Sequence, residues 1–297
     1  MKKIKWALEA VAVLVFVLPF AALPMTLALK AGELLGFVVY VLWGSRRRIA
    51  IGNVEKAVEA GGLSIDVSPS QIVRKSLMNL GRSLAEIVKI YFGLGRQLIE
   101  SIEVVGFDNY LRAKEKGKGI LFITGHCGNW ELTALGFGVR VAPVAVIARA
   151  QNNPYLNRLV EKARSRYGNR IIYKQGALMA VLSVLRDNGI VGILMDQAVL
   201  PEEGFIVDFL GRGAWTTKIP ALIARKRGAA VIPAFIHREG GRYIGTIYPE
   251  VALSQEKVEE KALIEDTKKI SSYIENYIRE HPTEWLWIHR RWKRVSE

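Results

Sequence analysis

The sequence has little of several residue types, and each shortage excludes a class of protein. The 297 residues include one cysteine, Cys127, so an internal disulfide framework is excluded. The four histidines (positions 126, 237, 281 and 289) lack the spacing of a zinc site. We therefore expect neither a metal site nor a cofactor. The chain also has no internal repeats and no low-complexity segment, so it is not a repeat protein.

Acidic residues are scarce relative to basic ones. The chain has 42 Lys and Arg against 28 Asp and Glu, which gives a formal net charge of +14. This balance indicates an acidic partner: an anionic membrane, a phosphorylated substrate, an acidic protein or nucleic acid. Half of the residues (50%) are hydrophobic, which is a high share for a purely soluble enzyme.

Hydrophobic residues concentrate at the N-terminus. Residues 6–29 are almost wholly apolar, and a helix of that length would reach about 36 Å, enough to cross the hydrocarbon core of a bilayer. A second apolar segment, 34–43, precedes three arginines. Basic residues at both ends favour a shallow hairpin or interfacial helix, with a single span, a signal peptide or a buried helix pair as alternatives. We expect residues 1–45 to form a membrane anchor and 46–297 one further domain, with 46–100 as its helical lead-in.

From residue 102 onward, strand-like and helix-like patterns alternate. Short apolar runs predict strands over 102–105, 119–124, 144–148, 170–173, 190–195, 205–210, 229–236 and 243–248. The segments between them predict helices over 107–117, 129–139, 154–167, 175–188 and 216–227. Earlier in the chain, a helix is expected over 49–60, and Ser68-Pro69 is expected to start a long amphipathic one. The alternation predicts an α/β fold with a mixed, largely parallel sheet flanked by helices.

The stretch 119–138 combines a buried strand, a tight turn and a helix, with His126 on the turn. Asn129 suits the helix N-cap, and Glu131 lies in the first helical turn, where the helix dipole keeps a carboxylate ionised. If Glu131 leans back to bond the imidazole, it fixes the tautomer, and the pair becomes a general base for a hydroxyl group. The turn would lie beyond the carboxyl end of a strand, where such sheets bind ligands. A structural histidine beside a solvated glutamate is the alternative.

Other polar residues occupy comparable positions. Arg149, Asp196 and Gln197 follow predicted strands, Thr216 opens a predicted helix as its N-cap, and Arg164 lies on the 154–167 helix. Each is also compatible with an ordinary solvated or capping position. The C-terminal residues 283–294 mix three tryptophans with basic side chains, which suits a membrane interface or single-stranded nucleic acid.

Taken together, these motifs resemble those of the bacterial lipid A biosynthesis acyltransferases of the late lauroyl and myristoyl type, within the lysophospholipid acyltransferase superfamily. His126 and Glu131 match the family's His-x4-Glu motif. Further matching segments follow in the family's order over nearly the whole chain: Arg149-x-x-Asn152-Asn153-Pro154, Arg164 with Gly168, Met195-Asp196-Gln197, Phe209-Leu210-Gly211 with Thr216, 229–233, and Trp287-x-His289-Arg290-Arg291-Trp292-Lys293. Cys127 and Lys218-Ile219 depart from the family's usual residues.

The resemblance implies transfer of a fatty acyl chain from acyl carrier protein to a hydroxyl of a phosphorylated lipid A precursor, with the catalytic domain on the cytoplasmic side of the inner membrane. His126 would be the base and Glu131 its orienter. Further residues would bind substrate or stabilise the oxyanion: Asn129, Arg149, Arg164, Asp196, Gln197 and Thr216. The implied partners are acyl carrier protein, the lipid A precursor and the anionic membrane, not nucleic acid.

Three alternatives stay open at this point. Cys127 next to the histidine would permit a covalent acyl-cysteine route, although the motif favours direct attack by the acceptor hydroxyl. The acceptor could instead be another glycolipid or a lysophospholipid, with acyl-coenzyme A as the donor. A non-enzymatic basic protein that binds membranes or nucleic acid would explain the charge but would leave the His–Glu turn without a role.

Overall fold

The computed structural model describes residues 2–173 and 176–295. Within them, the helices are α1 Lys2–Ala22, α2 Met25–Leu42, α3 Gly44–Glu59, α4 Pro69–Tyr91, α5 Arg96–Glu100, α6 Phe107–Glu115, α7 Trp130–Arg140, α8 Pro154–Ser165, α9 Ala177–Arg186, α10 Ile219–Arg227 and α11 Glu259–Glu280. The strands are β1 Glu103–Val105, β2 Ile120–Thr124, β3 Val144–Ala148, β4 Arg170–Tyr173, β5 Ile190–Leu194, β6 Gly204–Phe209, β7 Arg212–Thr217, β8 Ala230–Glu239 and β9 Arg242–Ile247.

Seven of these strands form one sheet in the order β1-β9-β8-β2-β5-β3-β4. Strand β2 lies at its centre and pairs in parallel with both β5 and β8. Strand β9 runs antiparallel to β8, and the edge strand β1 pairs in parallel with β9, so β1 and β9 run in the opposite direction to the other five strands. The prediction of a mixed, largely parallel sheet flanked by helices is confirmed. Strands β6 and β7 form a separate antiparallel hairpin.

The eight predicted strands are present in the predicted order, with ends shifted by up to a few residues. Strand β7 was not predicted, because its polar residues had suggested the start of a helix. Thr216 therefore lies in β7, and α10 begins later, at Ile219. The prediction that Thr216 caps that helix is wrong. Helix α11 was also missed, and the predicted start of the 175–188 helix lies outside the described residues.

Helix α4 links the N-terminal helices to the sheet. Ser68 caps it as predicted: its hydroxyl accepts a hydrogen bond from the Gln71 backbone N–H at 3.3 Å, and Pro69 occupies the first helical position. Val73 and Leu77 are buried in the main core. Helix α2 packs along α4 at Leu77, Met78 and Gly81.

The N-terminal apolar run is divided at Pro24 into α1 and α2. Both helices are long and apolar enough to cross a membrane. In each of them, 17% of the residues in the 18-residue apolar stretch are buried. The domain holds α1 near both ends. The Asn153 side-chain amide donates to the Trp6 carbonyl at 2.8 Å, and the Lys89 ammonium donates to the Ala21 carbonyl at 2.9 Å. Helix α1 therefore lies along the domain rather than projecting from it.

The C-terminal tail packs into the molecule. Trp285 and Trp287 are each 1% exposed and belong to the main hydrophobic core. The interpretation of the tail as an aromatic membrane or nucleic-acid contact is therefore wrong for these two tryptophans.

Candidate active site

Neighbouring parallel strands bring a histidine and a carboxylate together. Strands β2 and β5 are parallel neighbours, and Thr124 at the end of β2 lies opposite Leu194 at the end of β5. The residues that follow the two strands therefore leave the sheet at the same end, beyond the carboxyl ends of the strands. His126 follows β2 and Asp196 follows β5. The imidazole Nδ1 lies 2.8 Å from Asp196 Oδ1. Asp196 Oδ2 accepts a hydrogen bond from the Trp285 indole N–H at 2.8 Å.

The charge distribution fits a histidine paired with an ionised carboxylate. Asp196 is 2% exposed. Its burial would raise the pKa of its carboxyl, but the charge and hydrogen bond of His126, together with the Trp285 bond, lower that pKa to about 2. Burial would likewise lower the pKa of His126, but Asp196, and to a smaller extent Glu131, raise it above 6.5. The imidazolium form is thus stabilised, as a general base requires when it takes a proton.

The structure differs from the predicted His–Glu contact. Glu131 is bonded by Arg164 through Nη2 to Oε1 and through Nε to Oε2 at 3.0 Å, and the Tyr91 hydroxyl donates to Oε2 at 3.0 Å. In the described part of the chain, the carboxylate that hydrogen bonds to the His126 ring is that of Asp196. Glu131 is close enough to raise the pKa of His126 through its charge. It lies in the first turn of α7, as predicted.

Backbone hydrogen bonds to the C-terminal tail hold the histidine turn in place. Gly128, at φ +53, donates its backbone N–H to the Glu284 carbonyl at 2.7 Å, and the Leu286 N–H donates to the His126 carbonyl at 3.1 Å. A side chain on Gly128 would also meet the Ile236 carbonyl at 2.6 Å. The tail is therefore part of the turn that carries the histidine.

Asn129 ties the same turn to α4. Its Oδ1 accepts from the Leu132 N–H at 3.0 Å, which confirms the predicted N-cap. Its amide donates to Glu86 Oε2 at 2.7 Å. Glu86 is fully buried and is also held by Arg238 (Nε to Oε1, 2.8 Å) and by the Tyr243 hydroxyl. Both polar groups of Asn129 are thus used inside the protein, so it serves to fix the turn.

The other candidate residues are distributed unevenly around His126. The Gln197 amide nitrogen lies 3.3 Å from His126 Nε2 and 3.4 Å from Nδ1, so it is almost equidistant from the two ring nitrogens. Arg149 is exposed just beyond the end of β3. Thr216 is fully buried, and its hydroxyl donates to the Ala214 carbonyl at 3.0 Å and accepts from Arg291 at 2.6 Å. A hydroxyl held in this way is not available to a substrate.

Cys127 is unsuited to covalent catalysis. The thiol is 2% exposed, and burial, together with the charges of Asp196 and Glu284, raises its pKa well above 9.0. The nucleophilic form of cysteine is the thiolate, which such an environment disfavours. The residue packs as a small hydrophobic side chain in the core beneath the turn.

Sequence reasoning missed several residues that hold the site together: Tyr91, Glu86, Arg238, Tyr243 and Trp285. Their contacts join segments far apart in the chain, so local spacing carries no signal for most of them. Trp285 is an exception, since it belongs to the tryptophan-rich tail that had already been singled out. Among residues 2–173 and 176–295, no group of three or more His, Cys, Asp or Glu is arranged to hold a metal ion.

The cleft beside His126 is narrow. A cavity of about 10 Å³ is bounded by α4, the histidine turn and the tail. Its lining residues are Ser76, Asn79, Leu80, His126, Gly128, Trp130, Glu284, Trp285 and Leu286. The Trp130 ring stands edge-on to the imidazole at a centroid distance of 5.2 Å. The arrangement can activate a hydroxyl group brought to Nε2.

Comparison with known proteins gives a consistent result. The family model described as bacterial lipid A biosynthesis acyltransferase matches residues 2–294. The lipid A biosynthesis acyltransferase of Haemophilus influenzae is 26% identical over 70% of this chain and 67% of its own. The lipid A biosynthesis lauroyltransferase of Escherichia coli K12 is 25% identical over 76% of this chain and 73% of its own length. The phosphatidylinositol mannoside acyltransferase of Mycolicibacterium smegmatis is 25% identical over 75% of this chain and 73% of its own length.

Proposed function

Because the chain belongs to the bacterial lipid A biosynthesis acyltransferase family, we propose that it moves a fatty acyl chain from an acyl carrier protein thioester to a hydroxyl of a phosphorylated lipid A precursor. The observation that carries this proposal is the imidazole of His126. Its Nδ1 is bonded to the buried carboxylate of Asp196, which leaves Nε2 for the acceptor hydroxyl. Acyl transfer to an alcohol needs a base at that nitrogen.

The reaction requires one proton to be held and returned. His126 Nε2 takes the proton from the acceptor hydroxyl as its oxygen attacks the thioester carbonyl and forms the new C–O bond. Asp196 keeps the other proton on Nδ1 and stabilises the imidazolium. When the tetrahedral intermediate collapses, the C–S bond breaks and the imidazolium returns the proton to the leaving sulfur. The products are an ester and a free thiol.

We assign a supporting role to Glu131. Its two hydrogen bonds from Arg164 fix the position of that guanidinium, and we propose that Arg164, with the exposed Arg149, attracts substrate phosphate or oxyanion charge. Direct orientation of the imidazole by Glu131 is the competing assignment. The two are separated by comparing Glu131→Gln with Asp196→Asn. If Asp196 orients the ring, Asp196→Asn changes the pH dependence of kcat more strongly than Glu131→Gln does. If Glu131 orients it, the order is reversed.

The positive net charge of the chain supports an acidic protein as the acyl donor. The chain has a formal net charge of +14, and acyl carrier proteins and lipid phosphates are both anionic partners for such a protein. Guanidinium groups bind phosphate through two parallel hydrogen bonds, which suits a phosphorylated acceptor. Nucleic acid is not needed to account for the charge.

A second acceptor class is supported by one comparison. The mycobacterial relative is named for acylation of phosphatidylinositol mannosides, which are glycolipids outside lipid A biosynthesis. A glycolipid acceptor with acyl-coenzyme A as donor would use the same His126 chemistry. Mass spectrometry of lipid A from a deletion strain separates the two, because loss of one acyl chain is expected only for a lipid A enzyme.

We further propose that α1 and α2 attach the protein to the cytoplasmic face of the inner membrane without crossing it. Both the Trp6 and the Ala21 ends of α1 are hydrogen bonded to the same domain, through Asn153 and Lys89. A helix held at both ends by a domain on one side of a bilayer lies in the interface rather than across it. Its exposed side chains form an apolar face toward the lipid: Ile4, Leu8, Val11, Val15 and Leu18.

The function is tested with purified protein, lauroyl-acyl carrier protein and a tetra-acylated, phosphorylated lipid A precursor in detergent. The wild type is expected to form a penta-acylated product, and His126→Ala to lose about 10³-fold or more of kcat. Circular dichroism and vesicle binding show whether the variant remains folded and membrane-bound. Wild-type turnover retained in the His126→Ala protein would overturn the assignment.

A further inference from the structure

Helices α2 and α4 are in direct backbone contact at three glycines. A Cβ atom built on Gly81 would lie 1.9 Å from the Gly32 carbonyl oxygen, and one on Gly36 would lie 2.1 Å from the Leu77 carbonyl oxygen. Such distances are far below van der Waals contact, so any larger residue would force the helices apart. The two helices therefore form a fixed pair, and the shape of the space beside their contact is set by the backbone.

A groove runs along one side of this contact. It encloses about 330 Å³ and is lined by Leu35, Gly36, Val39, Leu77, Leu80, Gly81, Ser83, Leu84, Ile87, Asn129 and Trp130. The two polar side chains in this lining are hydrogen bonded within the protein: Ser83 to the Asn79 carbonyl at 3.0 Å and Asn129 to Glu86. The groove consequently presents an almost wholly apolar wall, which suits a hydrocarbon ligand.

The inner end of this α2–α4 groove adjoins the catalytic histidine. Leu80 and Trp130 line both the groove and the small cavity beside His126. Its outer wall is α2, which exposes Leu34, at 62%, on the side facing away from the domain. The groove and the cavity beside His126 thus share Leu80 and Trp130 as wall residues.

A polar cavity lies on the other flank of α4. It has a volume of about 500 Å³, and its lining is Glu33, Phe37, Arg74, Lys75, Met78 and Asn79. Arg74 and Lys75 are exposed cations, and Asn79 also borders the cavity beside His126. The guanidinium of Arg74 and the ammonium of Lys75 both face solvent, where they can bind a phosphate group. An apolar groove and a basic cavity therefore flank the same reaction centre.

We propose that the α2–α4 groove binds a fatty acyl chain of the membrane-resident acceptor lipid, while Arg74 and Lys75 bind the phosphate of its head group. The inference rests on the proposed function, since it names the site for that reaction's acceptor. An amphiphile with a phosphate and hydrocarbon chains matches both cavities at once. An acceptor that slides in from the bilayer along α2 brings its hydroxyl to His126 without leaving the lipid phase.

The test narrows the groove from each wall. Leu35→Trp on α2 and Ile87→Trp on α4 both fill it, and Leu34→Trp makes the same change at the neighbouring, outward-facing residue as the matched control. Steady-state kinetics are measured in detergent micelles with a tetra-acylated phosphorylated acceptor, its de-O-acylated analogue and a series of acyl carrier protein thioesters. We expect the KM for the tetra-acylated acceptor to rise about tenfold or more in both groove variants.

The same variants are expected to keep the KM for the donor within about twofold of the wild type and to raise the KM for the de-O-acylated acceptor less than that for the tetra-acylated one, because fewer chains remain to use the groove. A shift in donor chain-length preference instead would assign the groove to the donor and overturn the proposal. Kinetics indistinguishable from those of Leu34→Trp would also overturn it. Arg74→Gln combined with Lys75→Gln should raise the acceptor KM and leave that of a dephosphorylated acceptor unchanged.

A direct binding measurement separates this inference from the proposed function. An acceptor carrying a photoactivatable diazirine in one acyl chain is irradiated with the inactive His126→Ala protein, and the modified peptides are identified by mass spectrometry. Labelling within α2 and α4 is expected, and labelling confined to other segments overturns the inference. A wild type that transfers no acyl chain while labelling still falls on α2 and α4 overturns the proposed function alone.

Discussion

Replacement of Asp196 by asparagine removes one charge and one acceptor from the centre of the candidate site. Asp196 accepts two side-chain hydrogen bonds, from His126 at Oδ1 and from Trp285 at Oδ2. Asparagine has the same shape but a single acceptor oxygen, so it cannot serve both donors. If its oxygen stays with Trp285, its amide donates to His126 Nδ1 and shifts the ring proton to Nε2. That tautomer cannot accept a proton from a hydroxyl group.

The size of the effect follows from the distance between the two groups. At the observed 2.8 Å, an imidazolium and a carboxylate attract each other by about 6 kcal/mol at an effective dielectric constant of about 20. If about half of the charge has developed in the transition state, about 3 kcal/mol of stabilisation is lost. Returning the ring to the tautomer that can act as a base leaves either the Nδ1–H or the Trp285 N–H without an acceptor, which adds about 1–3 kcal/mol. We therefore expect kcat to fall about 10³–10⁴-fold.

The pH profile distinguishes this explanation from simple unfolding. In the proposed mechanism the base is active when His126 is neutral, so kcat should rise with pH through the pKa of His126, which Asp196 raises. Without the carboxylate that pKa falls, and the acid limb of the profile should move to lower pH while the plateau drops. Acyl transfer is measured from pH 5 to 9, with thermal unfolding as the folding control. An unchanged acid limb with near wild-type kcat would refute the reasoning.

The remaining predictions concern the support of the site. Cys127→Ala should keep kcat within about twofold, because the thiol is buried and protonated, and loss of acyl transfer would instead favour a covalent route. Glu86→Gln should lower the free energy of unfolding, measured by urea titration, by about 3–5 kcal/mol, because it leaves Arg238 buried without its counter-ion. The same change at the exposed Glu100, which pairs with Arg96, should lower it by less than about 0.5 kcal/mol. Gly81→Val should separate α2 from α4 and lower the melting temperature, with the unhindered Gly52→Ala as its control.

Much of the fold follows from local sequence pattern. Buried strands such as β2 and β5 are short apolar runs, and their neighbourhood in a parallel sheet explains why His126 and Asp196 end at one edge. Strand order depends on packing between distant segments, so the antiparallel insertion of β9 had no local signal. Strand β7 was missed for a different reason: its polar residues are held by pairing with β6 and by Arg291, not by an apolar run.

The identity of the carboxylate that bonds the histidine shows where sequence spacing stops being informative. A glutamate five positions after His126 is conspicuous in the sequence, whereas the partner found in the structure is 70 residues away, just after the adjacent strand β5. The backbone explains the difference. His126 precedes the helix start, and the Glu131 side chain in the first turn of α7 meets Arg164 of α8 and Tyr91 of α4 instead.

The two carboxylates are therefore suited to different tasks. Glu131 is bonded by a permanent cation, so Arg164 balances its charge and reduces its effect on the imidazole. Asp196 is bonded by an imidazole and an indole N–H, neither of which is a permanent cation. Its charge is thus balanced most fully when His126 takes up a proton. We expect Asp196→Asn to alter the pH dependence of catalysis, and Glu131→Gln to act mainly on the position of Arg164 and on substrate KM. Equal shifts of the acid limb in both variants would contradict this division.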